Sequence, residues 1–90
     1  MKQLINVAQQ ELTINIEAVG TGKTTLLMVH GIPTNARLWR HVQEHLKEDY
    51  TCLAMDMVGY GQSDMPLDDF KHTLTNQAEV IRGVIDALDL

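Results

Sequence analysis

The sequence predicts an α/β fold in which two antiparallel strands lead into a parallel strand–helix–strand unit, followed by a C-terminal helix. Three observations carry this. Leu12, Ile14, Ile16 and Ala18 alternate with Thr13, Asn15 and Glu17, the period-2 pattern of a strand with one face buried. Residues 25–30 (Thr-Leu-Leu-Met-Val-His) and 50–56 (Tyr-Thr-Cys-Leu-Ala-Met-Asp) are continuous apolar runs, which fit strands covered on both faces. A helical stripe lies between these two runs, so strand, helix and strand follow in the order that a parallel pair with a crossover demands.

The elements follow in order. Ile5 and Val7 alternate with Asn6 and Ala8 as a short first strand, and Gln9-Gln10-Glu11 is expected to turn into the second. Gly20-Thr21-Gly22-Lys23 then breaks the pattern and reads as a hairpin turn. Gly31-Ile32-Pro33-Thr34-Asn35 is a loop rich in breakers, with Asn35 or Thr34 placed to cap the next helix. In that helix Leu38, Trp39, Val42 and Leu46 share one face, with Arg40, Gln43, Glu44 and Lys47 on the other. Residues 57–69 form a long loop. Leu74, Ala78, Ile81, Val84, Ile85 and Leu88 line the stripe of the final helix, with Asn76 and Glu79 spaced as a capping box and Gly83 on the opposite face.

Composition excludes several functions. Seven Lys plus Arg against 12 Asp plus Glu leave a net charge of −5, so no nucleic-acid partner is expected, since phosphate tracking needs clustered cations. The 44% hydrophobic fraction excludes a disordered tail. One cysteine excludes an internal disulfide, and Cys52 reads as a small core residue. No apolar run reaches a membrane span and the first six residues show no secretory core, so a cytoplasmic location is expected.

Four motif fragments fail their context. Gly20–Thr25 lacks the first glycine of a phosphate loop, because Glu17 stands there, and a strand follows where a helix is needed. His41-Val42-Gln43-Glu44-His45 matches an inverted zinc-protease spacing, but no third ligand follows, so the two histidines read as solvated and no metal is expected. Gly61-Gln62-Ser63-Asp64-Met65 lacks the last glycine of a nucleophile elbow, and Ser63 sits inside a loop. Gly59 to Asp64 misses the third glycine of a dinucleotide fingerprint.

What survives is positional. His30-Gly31-Ile32-Pro33 and the run from Asp56 through Gly59, Gly61, Ser63 and Asp64 each leave the carboxyl end of a buried parallel strand, where open α/β sheets build their sites. Gly31 lets the backbone approach a ligand, and the Ile32 N–H is available as an oxyanion donor.

These loops, with Leu38-Trp39 between them, resemble the N-terminal part of an α/β-hydrolase fold of the Rossmann-like three-layer type. Within it they are most similar to the branch of haloalkane dehalogenases, epoxide hydrolases, esterases and lactonases. The resemblance runs from about Leu12 to Leu90. It implies that the Ile32 backbone N–H belongs to an oxyanion hole framed by His30, Gly31 and Pro33, with a cis Ile32–Pro33 bond. Asp56, Gly59, Gly61, Ser63 and Asp64 would shape the second loop without acting on substrate. Ile32 stands where many dehalogenases carry a halide-binding Asn, so an ester, lactone or epoxide is the expected small-molecule substrate.

The resemblance further implies that residues 1–90 are one partial domain ending before the nucleophile-elbow strand. No triad member would then be present, the chain alone would be inactive, and no cofactor is expected. The open edge of the strand over 25–30 would favour self-association. The alternative is a small non-catalytic α/β binding module.

Overall fold

The structure, a computed structural model, describes residues 1–7, 9–31, 34–66 and 71–90. Strand β1 (Lys2–Val7) pairs antiparallel with β2 (Gln10–Val19), from Val7 opposite Gln10 to Lys2 opposite Asn15. Gln10 and Glu11 are therefore already strand residues, and the expected turn over 9–11 is tighter than its sequence suggests. Gln9 takes a left-handed φ of 64°, which suits a close hairpin reversal. Ala8 lies outside the described residues.

The outer half of β2 serves a second neighbour. Residues 16–19 pair antiparallel with β4 (Tyr50–Met55), and β4 pairs in parallel with β3 (Thr24–Val29). The sheet order is β1-β2-β4-β3. This corrects the hairpin reading of Gly20–Lys23, because β4 separates the two strands that this segment connects. The segment instead crosses the chain leading into β4. A Cβ on Gly20 would strike the carbonyls of Tyr50 and Lys47, and one on Gly22 would strike the Asp49 backbone. The Thr21 N–H donates to Lys47 O (3.2 Å) and the Thr51 hydroxyl to Gly22 O (2.6 Å), which hold the crossing in place.

Between β3 and β4 the chain forms a 3₁₀ turn (Ala36–Trp39) and helix α1 (Arg40–Leu46). Asn35 is the cap: its Oδ1 accepts from the Arg37 N–H at 2.9 Å. The buried face differs from the expected stripe. Leu38 and Val42 are exposed, whereas Gln43, assigned to solvent, is 3% exposed and donates to the carbonyls of Glu17 (2.9 Å) and Cys52 (3.2 Å). The 3₁₀ turn advances about 120° per residue, which rotates the helix that follows. Ala36, Trp39, Gln43 and Leu46 therefore end up facing the sheet.

Helix α2 (Leu74–Ala87) is capped by Thr73, whose hydroxyl accepts from the Asn76 N–H at 3.1 Å. The cap thus lies three residues before the expected capping box. Val80 and Val84 are fully buried, and Gly83 lies against Ile5, not on the opposite face.

The two helices cover opposite sides of the sheet. On one side Ile5, Val7, Leu12, Ile14, Ile16, Leu53 and Met55 meet Val80 and Val84; on the other Met28, Cys52 and Ala54 meet Ala36, Trp39 and Leu46. Burial on this scale contributes about 1.5–3 kcal/mol for each large aliphatic side chain. Successive β4 residues alternate between the two clusters, which is why its sequence reads as an unbroken apolar run.

Candidate active site

Val29 and Met55 stand opposite each other at the carboxyl ends of β3 and β4. The loops beginning at His30 and Asp56 therefore leave the sheet side by side, from one rim. That placement follows from parallel pairing in register and nothing else.

His30 is 6% exposed and bridges the two loops. Its Nε2 accepts from the Met57 N–H at 3.0 Å, and Nδ1 lies 2.8 Å from Gly31 O. Because a backbone N–H only donates, Nε2 holds the lone pair and Nδ1 carries the proton. Tyr60 meets the ring edge-on, with centroids 5.4 Å apart. Gly31 O also accepts from the Thr34 N–H (3.0 Å) and hydroxyl (2.8 Å). With both nitrogens engaged by main-chain groups, His30 holds the loops together and is not free to act as a base. Ile32 and Pro33, the expected donor and its neighbour, lie outside the described residues, as does the Ile32–Pro33 bond.

Asp56 is 3% exposed and sits at the centre of a hydrogen-bond knot. Oδ1 accepts from the Ala36 N–H (2.6 Å); Oδ2 accepts from the Asn15 side-chain amide and the Gln62 N–H, both at 2.9 Å. Burial pushes its pKa up, but the donors from Gln62, Ala36 and Asn15 outweigh it and hold the carboxyl below its ordinary value. The Ser63 hydroxyl donates to Asp56 O (2.6 Å) and accepts from the Asn15 N–H (2.9 Å). Asp64 Oδ2 accepts from the Thr13 N–H (2.7 Å), and the Asp64 N–H donates to Thr13 O (3.0 Å). The loop is thereby sewn to the half of β2 that β4 leaves unpaired. Gly59 and Gly61 turn it with φ of 88° and 53°.

A cleft of about 980 Å³ opens beside this rim. Its walls are mostly apolar. Val29 and His30 form one side, Met57 and Tyr60 a second, and Leu74 and Ile81 of α2 a third. The apolar stripe expected on α2 thus divides: Val84 packs on the sheet beside Val80, which lay outside the stripe, while Leu74 and Ala78 line the cleft and Ile81 touches both the cleft and the core.

The sequence reading missed Asn15, which looked like a solvent-facing strand residue, and Gln77, which lines the cleft and donates to Val58 O at 3.2 Å. His41 and His45 are exposed on α1, and among the described residues no three His, Cys, Asp or Glu side chains group as metal ligands. Among the described residues no helix is long and apolar enough to cross a membrane.

Comparison with known proteins agrees with this architecture. Residues 24–90 match the family described as alpha/beta hydrolase fold. The chain is 40% identical over 79 residues to a haloalkane dehalogenase of Agrobacterium fabrum, covering 88% of this chain and 25% of that protein. It is 43% identical over 65 residues to epoxide hydrolase 2 of Caenorhabditis elegans, covering 72% and 18%. Among solved structures, an esterase from Exiguobacterium antarcticum superposes with a TM-score of 0.85 at 31% identity, covering 100% of this chain and 32% of that one. The chain spans a quarter or less of the length of these two curated relatives. The resemblance read from the two loops is borne out, and the chain belongs to the α/β hydrolase fold family.

Proposed function

We propose that the chain is the N-terminal portion of a hydrolase acting on a small ester, lactone or epoxide, and that it supplies the oxyanion turn without a catalytic triad. The observation that carries this reading is the shared rim: His30-Gly31 and Asp56-Met57 leave adjacent parallel strands beside one apolar cleft. In this reading the Ile32 main-chain N–H receives the negative charge that develops on a substrate oxygen. His30, Gly31 and Pro33 frame that amide; Asp56, Gly59, Gly61, Ser63 and Asp64 shape the facing loop. Dehalogenation is set aside because the Ile32 side chain offers no hydrogen-bond donor for a halide. A cytoplasmic location belongs to the same proposal.

The test is made in the longest open reading frame that contains residues 1–90. Ile32→Pro removes the one N–H at issue. The expected result is a loss of about 10²–10³ in kcat on p-nitrophenyl esters or styrene oxide, with KM nearly unchanged. Unchanged kcat would overturn the oxyanion role. For the 90-residue chain alone the expected result is no turnover. Hydrolysis by that chain, abolished by a serine-directed reagent, would overturn the absence of a triad.

A further inference from the structure

We propose that a second pocket, beside the 3₁₀ turn, binds the oxyanion group of a small ligand, a carboxylate or a phosphate, through the guanidiniums of Arg37 and Arg40 with Asn35 as a further donor. This goes beyond the reaction inferred above and does not depend on it, because the pocket shares no lining residue with the cleft.

The pocket holds about 360 Å³ and is walled by Thr34, Asn35, Arg37, Leu38 and Arg40. That volume lies at the lower end of small-ligand sites. Its polar groups are unevenly spent. Asn35 Oδ1 accepts from the Arg37 N–H (2.9 Å), which fixes which end of the amide is oxygen and leaves the N–H₂ end without a partner among the described residues. The Thr34 hydroxyl gives its proton to Gly31 O (2.8 Å). Arg40 Nη1 donates to Arg37 O (2.9 Å), which occupies only part of its donor fork. What is left for a ligand is almost all donors: the Asn35 amide N–H₂, the rest of Arg40 and the whole Arg37 guanidinium. Among the described residues neither guanidinium meets a carboxylate.

The missing carboxylate is the informative part. Like charges three residues apart on a helical segment repel, and a chain of net charge −5 has acids to spare. Yet neither the 3₁₀ turn nor α1 carries an acidic residue in its first turn. Lys47 and Arg82, by contrast, meet Glu44 and Asp86 on their own helices. The bond to Arg37 O also draws the Arg40 head back over the 3₁₀ turn, so part of the freedom that an exposed arginine loses on binding is already lost. A planar fork takes two oxygens of a carboxylate or phosphate at once. An oxyanion therefore cancels the repulsion and fills the idle donors together, whereas a cation or an apolar ligand does neither.

The 90-residue chain is titrated with sodium phosphate and, separately, with sodium acetate at constant ionic strength, and followed through the NMR signals of the arginine Nε–H groups. The expected result is a saturating shift at Arg37 and Arg40 with one shared midpoint, while Arg82 stays still. Arg37→Gln and Arg40→Gln should each raise that midpoint about tenfold. Arg40→Lys keeps the charge but loses the fork, and should raise it by a similar factor. All three side chains are exposed, and unchanged amide signals from the β1–β2 ladder confirm that the variants stay folded. Saturation at lower phosphate than acetate identifies a phosphate-bearing ligand, and the reverse order a carboxylate-bearing one; either supports the site. Shifts that grow linearly with salt at all three arginines would overturn it. So would a response from only one of Arg37 and Arg40, or an Arg40→Lys midpoint equal to the parent's, since charge alone would then account for the attraction.

Discussion

Gly61 and Asp56 form one device, in which the first makes room for the second. A Cβ at Gly61 would run into the Asp56 carboxylate, and its φ of 53° lies where L side chains carry a cost of about 1–2 kcal/mol. Gly61→Ala therefore adds backbone strain to displacement of a buried acceptor, and a loss of roughly 2–4 kcal/mol is expected in urea unfolding. An unchanged midpoint would mean that the loop has another way to close. Asp56 also sets a pH dependence. Its folded pKa lies below the ordinary 3.8, so the folded state favours the ionised form. The stabilisation is complete above the unfolded value and disappears as pH falls through the lower folded one. Asp56→Asn should flatten that acid limb in a series of thermal melts. It also turns an N–H₂ group toward existing donors, at a cost of about 1–3 kcal/mol near neutral pH. An acid limb that survives the substitution would assign the effect to other carboxylates.

At the level of elements, α2 begins with an unused opportunity. Its first turn carries no acidic residue, and Leu74 is 92% exposed there. Leu74→Glu sacrifices almost no burial and places a carboxylate against the positive end of the helix, so a gain of about 0.3–1 kcal/mol is expected at low salt, shrinking as salt rises. A gain independent of salt would point to removal of an exposed apolar group instead. The elements themselves were largely legible in the sequence, because period and breakers are local properties: the alternation over 12–18 and the apolar runs over 25–30 and 50–56 became strands, except that His30 and Asp56 already belong to the loops. Sheet order was not legible. Gly20–Lys23 has the residues of a hairpin, and only its crossing over Asp49 and Tyr50 shows that β4 intervenes. Gln43 was misread because a helical wheel assumes one constant rotation, whereas a 3₁₀ turn opens this segment. Asn15 was misread because a polar residue in an alternating strand ordinarily faces water. Here the loop beyond β4 folds back over that face and buries it. The two site loops could be found because each follows a buried strand. The knot joining them could not, since Asn15, Ala36 and Asp56 meet only in three dimensions.

For the molecule as a whole, the decisive feature is the asymmetry of the sheet's ends. Of the two outermost strands, β1 carries Lys2 and has α2 packed against it, whereas β3 runs Thr-Thr-Leu-Leu-Met-Val without a charge and pairs on one side only among the described residues. Unpaired backbone groups along an apolar strand are a template for another strand. Leu26, Leu27 and Val29 are only half-buried, so pairing there covers apolar surface as well as satisfying hydrogen bonds. The chain is therefore expected to associate as its concentration rises, in sedimentation velocity over a wide range. A competing source exists in Leu38 of the 3₁₀ turn and Val42 of α1, exposed at 51% and 40%. Two exposed aliphatic side chains are ordinary surface features and supply no directional bonds, so the strand edge should dominate. Thr25→Lys sets a like charge beside itself in an edge-to-edge pair and should return the chain to monomer with little change in melting. Val42→Lys should leave association intact. If only Val42→Lys dissolves the oligomer, the helix face is the contact, and if the parent chain is monomeric throughout, the edge of β3 is protected in a way that neither its sequence nor its pairing reveals.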